Sequence, residues 1–370
     1  MEVTLVVPSI GDLVNLGSYR LARHNVRVVV IDEGVDWKRR KASRILGDIP
    51  CTFYGPSERR NFFMERFDSA WAKYFRVIPS RCHAETSFGL LVAYENDPDM
   101  VIEIDDDTRA ISGQDLIEFH QRNLFSEDGR TVRSPSSRWY NTLENLTLSI
   151  DEKVFPRGHP YAPECRKKDY VWSKAGGRCV LNMGLWLGCP DLDALTIAYF
   201  GGLRGVPHFK SVSLSIPKVI VGHGTYFATC SMNTSFVPEI IPAFYQLYMN
   251  HMGVDRFDDI WSGIVLKKIT DSLGDRVCLG QPVVNHRKTP RDTFSDLEKE
   301  LKGIMMNEKF WKIVDEAEVD SRTYADGYAQ LVSRISHRID DRFVDSFHRK
   351  FMRKQLQKMR LWTQIVDKIR

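Results

Sequence analysis

The 370-residue chain has no apolar run approaching the ~18–20 residues needed to cross a bilayer, so nothing in it reads as a transmembrane helix. Its start, Met1-Glu2-Val3-Thr4-Leu5-Val6-Val7-Pro8, is a strand and lacks the basic region and long apolar core of a secretory signal. No Cys-x-x-Cys occurs. The 7 cysteines (51, 82, 165, 179, 189, 230, 278) are scattered and odd in number, which gives no zinc signature and suits a reducing, cytoplasmic setting. No Gly-x-Gly-x-x-Gly follows the first strand, and Gly222-His223-Gly224 stands in the wrong context, so no NAD is expected. The net charge of +4 is too small to argue for nucleic acid. Internal repeats and low-complexity linkers are also missing.

What remains is a globular protein of ordinary balance, 43% hydrophobic and 27% charged, long enough to bury a substantial core. The first hundred residues alternate strands with longer mixed segments. Val3–Val7 and Val26–Ile31 read as strands, Phe75–Pro79 as a third, and Met100–Ile104 as a fourth. Helical spacing marks Arg59–Ala72 and Thr86–Tyr94. Such alternation predicts an open α/β sheet that takes ligands beyond the carboxyl ends of its strands. Residues 130–235, rich in Gly, Pro, Trp and Tyr, read as irregular binding loops over that scaffold. From Asp255 the chain turns helical again. Its last 35 residues, Ser336–Arg370, hold 10 Lys/Arg against 4 Asp, with Ile335, Ile339, Phe343, Phe347 and Phe351 at i, i+4 spacing. This reads as a basic amphipathic helix. Its stripe packs on the body or on another subunit, with an anionic membrane or nucleic acid as the other readings.

The most informative stretch is Ile104-Asp105-Asp106-Asp107-Thr108. A buried strand that ends in three carboxylates concentrates like charge, and a pair ~4 Å apart repels by roughly 4 kcal/mol at an effective dielectric near 20. A hard divalent cation with oxygen ligands relieves this, and a solvated turn is the alternative. Four further segments carry chemistry. Asp258 and Asp259 open an amphipathic helix, as caps or as groups at a reacting sugar or base. His286 follows an apolar strand, as a structural residue or as a metal ligand if the fold brings it to Asp107. Arg157, between Pro156 and Gly158, sits on a stiff turn and offers a planar fork for diphosphate; a surface turn is the alternative. Gly184–Ala194 combines Trp186 with Asp191 and Asp193, as a carbohydrate-facing loop or as a strand and turn with polar ends. Asp32-Glu33, at the end of the second strand, could accept from a purine's N–H groups.

Taken in order, these segments resemble the reversibly glycosylated polypeptides of glycosyltransferase family 75, which include the UDP-arabinopyranose mutases. The resemblance rests on Ile104–Thr108, Trp139-Tyr140-Asn141-Thr142-Leu143, Phe155–Tyr161, Gly184–Ala194, Cys230-Ser231-Met232-Asn233, Asp258–Gly263 and Asp296–Gly303 after His286. It covers about residues 95–305 and does not extend to the C-terminal helix. The chain departs from it at Thr108, where plant members usually carry Cys, and at Leu195, where they carry Pro.

The resemblance implies a GT-A-like mixed open sheet flanked by helices over residues 1–305, with a helical C-terminal region over 306–370. It implies Mn2+ or Mg2+ held by Asp105, Asp107 and His286, and no flavin. It places the nucleotide at Pro8, Asp32, Asp105 and Asp106, and the sugar chemistry at Arg157, Asp191, Asp193, Asp258 and Asp259. Arg157 falls on the family's reversibly glycosylated arginine. The implied reaction interconverts pyranose and furanose forms of nucleoside-diphosphate-arabinose, UDP- or GDP-linked. Diphosphate leaves the anomeric carbon, the sugar's own 4-hydroxyl attacks, and diphosphate returns after the ring opens on the other side. Freeing a neutral nitrogen on a guanidinium at pH 7 costs roughly 7 kcal/mol or more, which favours Arg157 as a cation holding diphosphate over Arg157 as a nucleophile. A glycosyltransferase acting on an external acceptor is the alternative. A non-enzymatic nucleotide-sugar-binding scaffold, self-assembling as a homo-oligomer through the C-terminal helix, is the third.

Overall fold

A computed structural model describes residues 1–174 and 176–369. Its centre is a mixed sheet of 13 strands with helices packed against it. Across the sheet the main path runs Cys51–Tyr54, Val26–Ile31, Val3–Pro8, Met100–Ile104, Asn233–Phe236, Cys179–Gly188, Arg276–His286, Lys218–Val221, Arg130–Arg133 and Val171–Ser173. The first four are parallel, and Asn233–Phe236 enters antiparallel beside Met100–Ile104. Val3, Leu5, Val6 and Val7 and the whole of Met100–Ile104 are buried, as near-continuous β-branched runs are when helices cover a sheet. The helix Thr86–Asn96 packs on Val3–Pro8 and Val26–Ile31, and Leu116–Phe125 on the two long strands Cys179–Gly188 and Arg276–His286.

Two features of this topology position the acid run. Val3–Pro8 and Met100–Ile104 are adjacent and parallel, so both carboxyl ends open at the same edge. After the acids the chain folds back as Thr108–Ala110, antiparallel to the end of Arg276–His286, with Thr108 opposite His286. The backbone N–H of Arg287 donates to the carbonyl of Asp107 at 3.0 Å, which fixes His286 beside the last of the three carboxylates.

Several sequence expectations need correction. Phe75–Pro79 is no strand: the helix Trp71–Phe75 ends there, and Val77 and Ile78 plug the core from the turn that follows. The edge strand Cys51–Tyr54 and the basic helix Asp36–Leu46 carry too few apolar residues to announce themselves. Residues 130–235 are not merely loops, because Cys179–Gly188 is a ten-residue strand at the middle of the sheet. Trp186 is 1% exposed in that strand and offers no platform to a sugar. The C-terminal stripe spans three helices, Tyr324–Ser336, Ile339–Arg342 and Ser346–Ile369, instead of one. Ile335, Ile339, Phe343 and Phe351 are buried on the body of their own chain, and Phe347 is half-buried. The helix Thr293–Glu316 runs unbroken through residue 305, and Arg370 lies outside the described residues.

Candidate active site

A cavity of about 930 Å³ opens at the carboxyl ends of Val3–Pro8 and Met100–Ile104, the position ligands take in open α/β sheets. Pro8 to Asp12 and Asp105 to Asp107 form one wall; Asp191, Asp255 to Asp259 and His286 to Arg291 form much of the rest. Seventeen Asp, Glu, Lys and Arg side chains line this space, and how they pair decides what it can hold.

The three acids behave differently from one another. Asp106 commits one oxygen to the protein: its Oδ2 accepts from Ser9 Oγ at 2.9 Å, Ile10 N at 3.0 Å and Gly11 N at 2.7 Å. It pins the loop after the first strand. Burial still pushes its carboxyl above the usual range. Asp105 and Asp107 each keep one buried oxygen, Oδ1, without a hydrogen-bond partner. Nδ1 of His286 lies 2.7 Å from the carbonyl of Cys189, which can only accept, so Nδ1 carries the proton and Nε2 faces Asp107 Oδ2 at 3.4 Å. That is the tautomer a metal-ligating imidazole adopts, with its second nitrogen fixed by a carbonyl. The donor chemistry fits a hard divalent cation. Among the described residues, however, no three His, Cys, Asp or Glu side chains are gathered closely enough to enclose an ion by themselves.

Across the cavity lies a buried ionic knot. Arg157 Nε and Nη2 donate to the two oxygens of Asp191, each at 3.0 Å. Its Nη1 and Nη2 donate to Asp259 at 3.2 and 3.1 Å, and Nη1 also donates to the carbonyl of Arg256. All five guanidinium N–H groups are thereby used. Burial opposes its charge, but Asp191 and Asp259 hold the pKa well above that of a free arginine. Arg157 is only 8% exposed, and it has no N–H left for a diphosphate. The turn that delivers it depends on Gly158, at φ +88°, where a Cβ would sit 2.5 Å from Ile260 Cγ2. This close approach seats Arg157 on the first turn of the helix Asp258–Leu273.

Asp259 is equally committed, because its carboxylate also accepts from the backbone N–H of Ser231 at 3.4 Å and of Ile260 at 2.9 Å. Burial raises its pKa, and Arg157 pulls the other way. Burial would raise Asp191 too, but Arg157 overrides that and lowers it to about 2. Asp258 does not cap its helix; it accepts from His83 Nδ1 at 2.9 Å. Nε2 of that ring lies 3.5 Å from both Asp105 Oδ1 and Ser231 Oγ. Burial works against a charged His83, yet Asp258 and Asp105 hold its pKa well above the ordinary histidine value. The imidazole thus ties the acid run to the start of the helix Asp258–Leu273.

Of the residues singled out in the sequence, Pro8, Asp105, Asp106, Asp107, Arg157, Asp191, Asp258, Asp259 and His286 line the cavity. Two do not. Asp32 is held bidentately by Arg39 and by the N–H of Gly34 behind the wall. Asp193 caps the helix Ala194–Tyr199, accepting from Thr196 N at 2.8 Å and Tyr161 Oη at 2.8 Å. Sequence reading missed His83, Arg256 and Lys288. None stands in a local pattern, and each acquires meaning only through partners far along the chain.

The model of the reversibly glycosylated polypeptide family matches residues 69–369. The chain belongs to this family. The match runs further than the resemblance read from motifs, through the C-terminal helix to its end, in keeping with the way that helix packs into the body. Among curated relatives, probable UDP-arabinopyranose mutase 2 of Solanum tuberosum is 29% identical over 83% of this chain and 75% of its own length. UDP-arabinopyranose mutase 3 of Arabidopsis thaliana is 28% identical over 83% of this chain and 76% of its own. UDP-arabinopyranose mutase 1 of Oryza sativa subsp. japonica is 28% identical over 83% and 75%. Among solved structures, apo mouse xyloside xylosyltransferase 1 overlaps 37% of this chain and 53% of its own at 14% identity and a TM-score of 0.22, too little to bear on the fold.

Proposed function

We propose that this member of the reversibly glycosylated polypeptide family is a mutase that interconverts the pyranose and furanose forms of a nucleoside-diphosphate-arabinose. The observation that carries the reading is the arrangement of one cavity: the Asp105 carboxylate and the free Oδ1 of Asp107 near His286, and facing them the Arg157–Asp191–Asp259 knot, with His83 bridging Asp105 and Asp258. One wall suits a diphosphate with its cation, and the other suits a sugar's hydroxyls. Asp105, Asp107 and His286 would hold Mn2+ or Mg2+, which supplies charge neutralisation for a departing diphosphate.

The chain's own residues do the rest. Arg157 keeps Asp191 and Asp259 ionised and fixed, so that Asp191 presents ordered acceptors to the sugar. Asp258 gives Oδ2 to His83 and faces the cavity, where it takes the proton of the 4-hydroxyl as that oxygen attacks the anomeric carbon. Attack on an electron-poor carbon needs only a weak base, so the lowered pKa of Asp258 does not disqualify it. The proton then goes to the ring oxygen as that bond breaks, and diphosphate adds back to the anomeric carbon. A covalent bond to Arg157 would first need a proton taken from a guanidinium whose pKa is raised above its free value, at a cost exceeding roughly 7 kcal/mol. Sugar found on Arg157 would then be a side path.

The test is an acceptor-free assay with manganese and either UDP- or GDP-arabinopyranose, separated by chromatography. Furanose nucleotide at equilibrium supports the reading, and the faster donor names the base. Release of free sugar without furanose would instead favour a glycosyltransferase lacking its acceptor.

A further inference from the structure

The cavity holds a second arginine whose situation is the reverse of that of Arg157. Arg256 sits at φ +65°, in the left-handed region that residues other than glycine seldom adopt, two positions before the helix Asp258–Leu273. Its Nε donates to Glu300, a carboxylate 0% exposed that also accepts from the N–H of Ala194. That one bond fixes the plane of the guanidinium. The two terminal nitrogens have no partner among the described residues, and the side chain lines the cavity. Lys288, two residues past His286, lines the same wall; its ammonium also has no partner among the described residues. Two cations that line one space with free N–H groups form a place for negative charge.

We infer that Arg256 and Lys288 form the diphosphate site, with the free edge of the Arg256 fork and the Lys288 ammonium holding the group while it is detached from the sugar. The inference rests on the mutase reading and reassigns the role that sequence alone gives to Arg157. A planar fork suits two oxygens of one phosphate, and an ammonium on a flexible stem follows the second as the anomeric bond breaks. Glu300 acts through Arg256 as a positioning residue. A strained backbone and a buried carboxylate hold the fork in place before any ligand arrives.

Calorimetric titration of the full chain with UDP, GDP, UMP and inorganic pyrophosphate, in magnesium buffer, tests this. Wild-type protein should bind UDP at least about tenfold more tightly than UMP. Arg256→Ala and Lys288→Ala should each remove most of that ratio while leaving UMP affinity within about threefold, which also certifies the fold. Arg256→Lys should restore only part of it, because the charge survives and the fork does not. Glu300→Gln should weaken UDP binding less than Arg256→Ala does. UDP affinity unchanged in both alanine variants would overturn the site. Pyrophosphate binding that needs Arg256, in a protein that binds neither UDP nor GDP, would uphold the anion site and remove the nucleotide-sugar reading.

Discussion

Arg157 and Asp259, 102 positions apart in the chain, meet in a two-pronged ion pair of 3.2 and 3.1 Å, and neither keeps a free donor or acceptor for anything else. The pair is a fixed part of the wall. In the proposed mechanism the groups that act on substrate are its neighbours: Asp191 and Asp258 toward the sugar, Arg256 and Lys288 toward the phosphates.

Asp259→Asn should therefore unsettle structure before chemistry. Asp191 still neutralises Arg157, so the loss is smaller than for a lone buried pair: about 2–4 kcal/mol of stability in urea unfolding. Nucleotide affinity should stay within a few-fold. A variant as stable as wild type would contradict the anchoring role.

Asp258→Asn should lower kcat about a hundredfold or more with little change in KM, read by furanose formation. Its ion pair with His83 also predicts a pH dependence. The raised pKa of His83 means its stabilisation is full below the unfolded value near 6.5 and is lost as pH rises through the folded value; the depressed pKa of Asp258 removes the pair's contribution only in strong acid. In EDTA, the difference in Tm between wild type and Asp258→Asn should be level from about pH 5 to 6.5 and shrink at higher pH. A difference that grows on the alkaline side would refute the pairing.

Asp107→Asn and His286→Ala should each weaken manganese binding, measured by electron paramagnetic resonance of the free ion, by about 10- to 100-fold. The melting temperature should move by only a few degrees. Manganese affinity equal to wild type in both would refute this ligand set.

Asp106→Ala should behave differently from its two neighbours. It deletes the acceptor of three hydrogen bonds that pin residues 9–11, at a cost of about 2–3 kcal/mol, with no loss of manganese affinity.

That division of labour within the acid run was invisible in the sequence. Three consecutive carboxylates after a buried strand advertise themselves, and Arg157 between Pro156 and Gly158 does so more faintly, because each is a local pattern. Which carboxylate faces a ligand depends on the loop at residues 9–11, nearly a hundred positions away. His83 and Arg256 were missed for the same reason: the first is defined by Asp258, 175 positions on, and the second by Glu300, 44 positions on. Asp193 misled because a helix cap and a sugar ligand use the same residue type at the same spacing. The C-terminal stripe kept its i, i+4 period across two breaks in the helix, so periodicity alone read three helices as one.

The central claim is that diphosphate leaves the anomeric carbon and returns to the same sugar. UDP-arabinopyranose carrying ¹⁸O in the bridge between the anomeric carbon and the β-phosphate tests it directly, by phosphorus NMR during turnover. Detachment lets the β-phosphate rotate, so label should move to its non-bridging positions at least as fast as furanose forms. Furanose accumulating with the label still in the bridge would contradict the account, since the ring would then have rearranged without the diphosphate ever leaving.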